Sequence, residues 1–152
     1  MKNLNNYIFE KLNIKDIKRQ YNYFPKTKGE LRQILEERLK EDQDADLNDI
    51  DVSEITNMKD LFGHLAPHNI DISEWNVSNV KDMRFAFASC VNFNSNLSKW
   101  DVSNVKDMSH MFYDCQNFNA DLSKWDVSNV NDMGDIFYAC TSLKNMPSWY
   151  KE

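Results

Sequence analysis

The side chains best suited to chemistry in this chain are three cysteines, three histidines, a run of acidic residues and a row of tryptophans. Cys90, Cys115 and Cys140 stand 25 residues apart, and thiolates brought together in that way can bind a soft metal or cycle with an oxidant. Asp42, Asp44, Asp46 and Asn48 have the alternate-residue spacing of a calcium loop. Trp75, Trp100 and Trp125 repeat the same 25-residue step, and a row of indoles can offer ring faces to a carbohydrate or cell-wall polymer.

Each of these features also has a plainer reading. There is no CxxC pair, and His64, His68 and His110 fall at different phases of the 25-residue step, so no histidine column accompanies the thiols. A free cysteine on an apolar face behaves as a small hydrophobe, so the three are expected to fill core. In the acidic run, Leu47 stands where a calcium loop needs glycine and Ser53 where it needs glutamate, which leaves a solvated acidic linker. The tryptophans occupy the most regular part of the sequence, as corner-filling residues would. No column pairs a nucleophile with a base and an orienting group. The chain is therefore read as a non-enzyme with no cofactor and no metal.

What must position these residues is a repeat. Val52, Val77, Val102 and Val127 share the 25-residue step, as do Met58, Met83, Met108 and Met133, and Phe62, Phe87, Phe112 and Phe137. Leu65 heads the cysteine column. The units run over 47–71, 72–96, 97–121 and 122–146 without insertion, the first matching the others least. A unit of 25 residues cannot enclose its own apolar face, so stacking is required. Within the third unit, Val105, Met108, Met111, Phe112 and Cys115 fall on one arc at about 100° per residue, which predicts a short helix capped by Ser103 or Asn104. Ala120–Lys124 reads as a short strand, with a turn through Trp125–Val127. The expected fold class is α/β: a right-handed β/α solenoid of four units with an N-terminal helical cap. Asn94 and Asn119 are expected to join a polar ladder between units, and the repeated Asp and Ser to make turns and caps.

The stretch Asn117–Val130, NFNADLSKWDVSNV, together with Met133, Phe137 and Cys140 that follow it, resembles the repeat of BspA-like bacterial surface proteins, a branch of the leucine-rich-repeat superfamily. The resemblance covers about 47–146. It implies the β/α solenoid just described and an adhesion or protein-binding role at the cell surface.

The flanks are not repetitive. Leu4–Leu12 has an apolar pattern worth one or two helical turns. Pro25–Gly29 is a break, Thr27 and Glu30 have capping-box spacing, and Leu31, Ile34, Leu35 and Leu39 form a stripe. Residues 1–46 are thus a tail and a capping helix near 28–41 that lids the first unit. Residues 147–152 form a C-terminal cap through Trp149 or Tyr150. The opening Asn5–Leu12 also resembles the starts of some small proteins encoded by phages of gut bacteria, which suggests an intracellular interaction protein that uses its tail.

Composition narrows the partners. Eighteen Lys+Arg against 24 Asp+Glu give a net charge of −6, which lacks the basic footprint of a nucleic-acid binder. Three glycines leave no phosphate-cradling loop. No apolar run approaches the roughly 20 residues of a membrane-spanning helix. The first twenty residues carry no export signal and no lipid-attachment cysteine, which favours the cytoplasm or a virion, whereas the family resemblance implies the cell surface. Function is then expected where the units differ: Arg84, Phe85 and Ala88, then Ser109, His110, Tyr113 and Asp114, then Gly134, Asp135 and Tyr138. These are placed on the outer part of the helices, with Tyr113 above Tyr138, as a candidate surface for a protein partner.

Overall fold

The computed structural model describes residues 20–151. The apolar pattern of Leu4–Leu12 lies outside them. Among the described residues there is one helix, α1, Lys28–Glu41. It begins where the sequence places it. The Thr27 side chain accepts from the Glu30 amide at 3.2 Å. The Glu30 carboxylate reaches back to the Lys26 amide at 2.6 Å, one residue before the position of an ideal capping box. Leu31, Leu35 and Leu39 are buried, and Ile34 packs half-buried against the same core.

The units stack in the chain order read from the sequence, as coils one to four (47–71, 72–96, 97–121 and 122–146). The expected strand-and-helix construction is not found. The described residues form no sheet, and strand-like pairing between coils is confined to isolated parallel bridges such as Asp46 with Asp71 and Asn57, Asp82, Asp107 and Asp132 in succession. No helix forms over 103–115 or its counterparts. The fold is therefore not a β/α solenoid of the leucine-rich-repeat kind; its coils are built of turns.

The physical reason lies in the turns themselves. In coil three, Met111 N–H closes on Met108 C=O at 3.1 Å, Tyr113 on His110 at 3.1 Å, Cys115 on Phe112 at 3.0 Å and Phe118 on Cys115 at 3.1 Å. Three-residue closure brings every third side chain inward and mimics the helical arc. His110 and Asp114 have φ of 56° and 57°, which no α-helix accepts. The same two phases are left-handed along the stack: Asp60, Phe85, His110 and Asp135 at one, and His64, Ser89, Asp114 and Ala139 at the other. The supposed strand fails for a similar reason. Asp121 accepts from the Ser123 amide at 2.9 Å and Trp125 N–H closes on Leu122 at 3.1 Å, so the chain turns there.

Carboxylate and amide side chains hold the corners. Three such turns recur with the repeat, the side chains of Asp71, Asn76 and Asp82, then Asn96, Asp101 and Asp107, accepting the amide two residues on. Asn79, Asn104 and Asn129 donate to Ser53, Ser78 and Ser103 carbonyls of the preceding coil at 2.7–2.8 Å. Asn94 accepts from the Asn119 amide at 2.8 Å, and Asn119 from Lys144 at 3.0 Å.

The core is a set of stacked ring columns. Phe62 and Phe87 lie 4.9 Å apart, Phe87 and Phe112 5.6 Å, Phe112 and Phe137 5.9 Å, all within 16° of parallel. Phe93 and Phe118 form an inner column at 6.0 Å, each packed 4.2 Å from the Phe87 or Phe112 ring of its own coil. Met83 and Met108 are buried, and Met133, in the last coil, is half-buried.

Candidate functional site

The acidic run does not make a cation loop. Asp42 accepts from the Asp44 amide, Asp44 from Asn69, Asp46 from Asn48, and Asn48 from Glu74, each at 2.9–3.0 Å. Its oxygens are spent on turns and on contacts between coils. Among the described residues no group of three or more His, Cys, Asp or Glu is placed to hold a metal.

The tryptophans are interior. Trp75, Trp100 and Trp125 are each only 4% exposed, with Trp75 and Trp100 6.3 Å apart and 6° from parallel. Each indole N–H donates to a carbonyl of the coil before: Trp75 to Leu47 at 2.9 Å, Trp100 to Ile72 at 3.0 Å and Trp125 to Leu97 at 3.0 Å. Trp149 repeats the contact to Leu122 at 2.8 Å and stacks on Trp125 at 6.3 Å. Their faces are turned to one another and not to a ligand.

The cysteines are also interior. Cys115 Sγ donates to the Phe87 carbonyl at 2.9 Å and Cys140 to Phe112 at 3.0 Å, while Cys90 lies 3.9 Å from Phe62 O. Burial pushes the Cys90 thiol up to about 12 and Cys140 to about 11, and raises Cys115 as well. Thiols so held are poor nucleophiles.

The residues at which the units differ do come together. Phe85 stacks on His110 with centroids 4.5 Å apart and planes 20° from parallel. His110 continues to Tyr113 at 5.6 Å, and Tyr113 lies on Tyr138 at 4.9 Å and 13°. Four rings thus cross coils two, three and four in one row. Phe85 is 37% and Tyr138 57% exposed. Charges flank the row. His110 Nε2 lies 3.4 Å from the Asp135 carboxylate. Asp114 accepts from Gln116 at 3.0 Å, and its amide is tied to the Tyr138 carbonyl at 2.8 Å. Arg84 grips Asp82 through Nε at 3.0 Å and Nη2 at 2.6 Å, and reaches Asp107 at 3.5 Å. Partial burial pushes the Asp82 carboxyl up, but hydrogen bonds from the Arg84 side chain and amide outweigh it and hold it below the usual range. The bond to Asp82 raises Arg84.

Six of the ten proposed surface positions are less open, with Arg84, His110, Tyr113 and Asp114 half-buried. Ser109 is buried, its hydroxyl turned onto Asp107 at 2.7 Å, and Ala88 is half-buried. Gly134 is exposed. The left-handed Phe85 and His110 supply two of the row's four rings and the left-handed Asp135 flanks it, so the row runs along a turn corner and not a helix.

The family described as "Mycoplasma protein of unknown function, DUF285" matches residues 30–149. The chain belongs to this family. The DUF285 match begins in the first turn of α1 and ends at Trp149, so it takes in all four coils and the whole ring row. No curated protein and no solved structure matches this DUF285 chain.

Sequence reasoning missed how α1 is fixed to coil one. Arg32 donates to the carbonyls of Asp60, Leu61 and Gly63 at 3.2, 2.7 and 2.6 Å, and Lys28 Nζ to Lys59 at 3.1 Å. Their four-residue spacing on one helix face was the available signal. Their acceptors are backbone carbonyls, which no side-chain pattern announces.

Proposed function

We propose that this DUF285 chain is a non-enzymatic scaffold that holds another protein on the row Phe85, His110, Tyr113 and Tyr138. The observation supporting this is the continuity of the row across three coils, with exposed rings at both ends. Aromatic side chains are favoured anchors in protein interfaces, and rings already stacked lose little freedom on binding. Arg84 at one end and Asp114 and Asp135 at the other give the row polarity, which orients a partner more than it strengthens binding. Reading the chain as a scaffold also rests on its thiols, which are buried, protonated and bonded to carbonyls. The finer kinship with BspA-like surface proteins belongs to the same reading and would make the partner a host or neighbouring-cell protein.

A photo-crosslinking residue at Tyr138 tests this. It is expected to give a discrete protein adduct in extracts of the native surroundings. The adduct is expected to fall at least tenfold when Phe85→Ala and Tyr113→Ala are combined in the same chain, with the fold retained. An equal yield from the same probe at Gln33, on α1, or an adduct indifferent to the double substitution would count against the row.

A further inference from the structure

The amide bonds between coils in the Met-to-Cys segments all run in one direction. One column can be followed from end to end. Arg32 Nη1 donates to Leu61 C=O at 2.7 Å. The N–H of that peptide unit, on Phe62, donates to Ala86 at 3.0 Å, Phe87 in turn to Met111 at 2.9 Å, and Phe112 to Ile136 at 3.0 Å. The next donor is the Phe137 amide, which has no acceptor among the described residues. A parallel column starts at Lys28 Nζ on Lys59 and passes through Asp60, Phe85 and His110 amides to Gly134 C=O. It ends on the Asp135 amide. The columns through Met108 and Asp114 end likewise on Met133 and Ala139. The stack therefore closes on amide donors at alternate residues, 133, 135, 137 and 139, at the positive end of aligned peptide dipoles.

The same end is incompletely covered. The segment after coil four lies over Leu122 and Trp125 through Trp149, and over the Phe137 ring through Trp149 and Tyr150, at 6.0 and 5.3 Å. Val127, Val130 and Met133 are half-buried, whereas their counterparts Val102, Val105 and Met108 are buried. Met146 is 51% exposed.

Three interfaces inside the molecule show what this surface accepts. Each is filled by a chain segment that presents backbone carbonyls at alternate residues, as Asp132, Gly134, Ile136 and Tyr138 do for coil three. A free anion is disfavoured by the carboxylates of Asp132 and Asp135, both exposed at this end. A second copy joined head to tail would need its carbonyls at Lys59, Leu61 and Gly63, which Lys28 and Arg32 already hold. Joined tail to tail, amide donors would face amide donors.

We propose that the open end of coil four binds a segment of a different protein, folded through the same turns as the coils, as one added rung. Its neutral backbone carbonyls take the amides of Met133, Asp135, Phe137 and Ala139, and its apolar side chains cover Val127, Val130 and Met133. This end borders the ring row only at Asp135 and Tyr138, so the two surfaces can be tested apart.

The probe is a synthetic peptide of residues 102–115, VSNVKDMSHMFYDC, titrated into the full-length, isotope-labelled chain. At about 1 mM peptide, shifts are expected to centre on the amides at 133, 135, 137 and 139, whose exchange slows tenfold or more. A scrambled peptide of the same composition should do neither. Val130→Asp should weaken binding at least tenfold, and Tyr113→Ala should leave it unchanged. Amide protection in the unsubstituted chain gives the same answer if Val130→Asp does not fold. No response at these amides, equal binding of the scrambled peptide, or self-association of the chain that protects them would each overturn the proposal.

Discussion

The Arg32 guanidinium meets the Leu61 carbonyl at 2.7 Å, in the role that the Phe62 amide plays for Ala86 one coil later, at 3.0 Å. A side chain of α1 thus replaces the missing preceding coil. The exposed end of any stacked structure invites unwanted pairing, and α1 removes that hazard with three buried leucines and two cations directed at carbonyls.

Arg32→Ala should therefore destabilise more than an ordinary surface substitution. It leaves Leu61 and Gly63 carbonyls without their charged donor, at a cost of about 2 kcal/mol. In a chain of this size that lowers the melting temperature by roughly 4–8 °C. Calorimetry checks it, and Arg32→Lys, able to reach one carbonyl, should recover part of the loss. An unchanged melting temperature would show that the leucines alone hold the cap.

The left-handed phases give a prediction of unusual sign. Ser89 and Ala139 have φ of 60° and 58°, a region that costs a side-chain-bearing residue roughly 1–2 kcal/mol and glycine almost nothing. Ser89→Gly and Ala139→Gly are expected to stabilise by a few tenths to about 1 kcal/mol, despite glycine's greater freedom in the unfolded chain. Ala88→Gly, one residue away and not left-handed, should destabilise. Denaturant midpoints for the three variants decide the matter.

The thiols make stability fall in alkali. Burial raises Cys90 and Cys140 from 9.0 to about 12 and about 11, with Cys115 raised too. The folded chain keeps these protons after the unfolded chain begins to lose them. Their contribution is therefore full below about pH 9, and shrinks as pH rises through the folded values. In that window each thiol contributes a slope of up to about 1.4 kcal/mol per pH unit. Replacing all three by Ala should flatten the difference between pH 8 and pH 10 measured by denaturant unfolding. A slope unchanged by the replacement would show that the thiols are not its origin. Thiol labelling at pH 8 should be slow in the folded chain and fast in denaturant.

How much of this was legible depended on what carries each feature. The Met, Phe, Trp and Cys columns were legible because burial recurs with the repeat, whatever the backbone does. Tyr113 above Tyr138 followed from the same offset. The helix over 103–115 was misread because turns closing Met108 on Met111 and Phe112 on Cys115 bring in the same side chains as a helix. The left-handed residues that distinguish the two carry no common signature: Asp60, Phe85, His110 and Asp135 share a backbone conformation but not a side-chain chemistry, and none is glycine. The α1 stripe was legible from its leucines, whereas the Arg32 and Lys28 contacts depend on carbonyl directions fixed only by the fold.

Residue-resolved amide hydrogen exchange on the unliganded chain tests most directly the claim that the Met-to-Cys segments of the coils are joined by bonds running one way along the stack. The amides of Phe87 and Phe112, bonded to Met111 and Ile136, should exchange slowly, limited by opening of the stack. The Phe137 amide, at the same phase of the last coil, should exchange orders of magnitude faster although its ring is buried, with Met133, Asp135 and Ala139 alongside it. Protection of Phe137 equal to that of Phe112 would contradict the account, because the final coil would then have an acceptor that this structure does not give it.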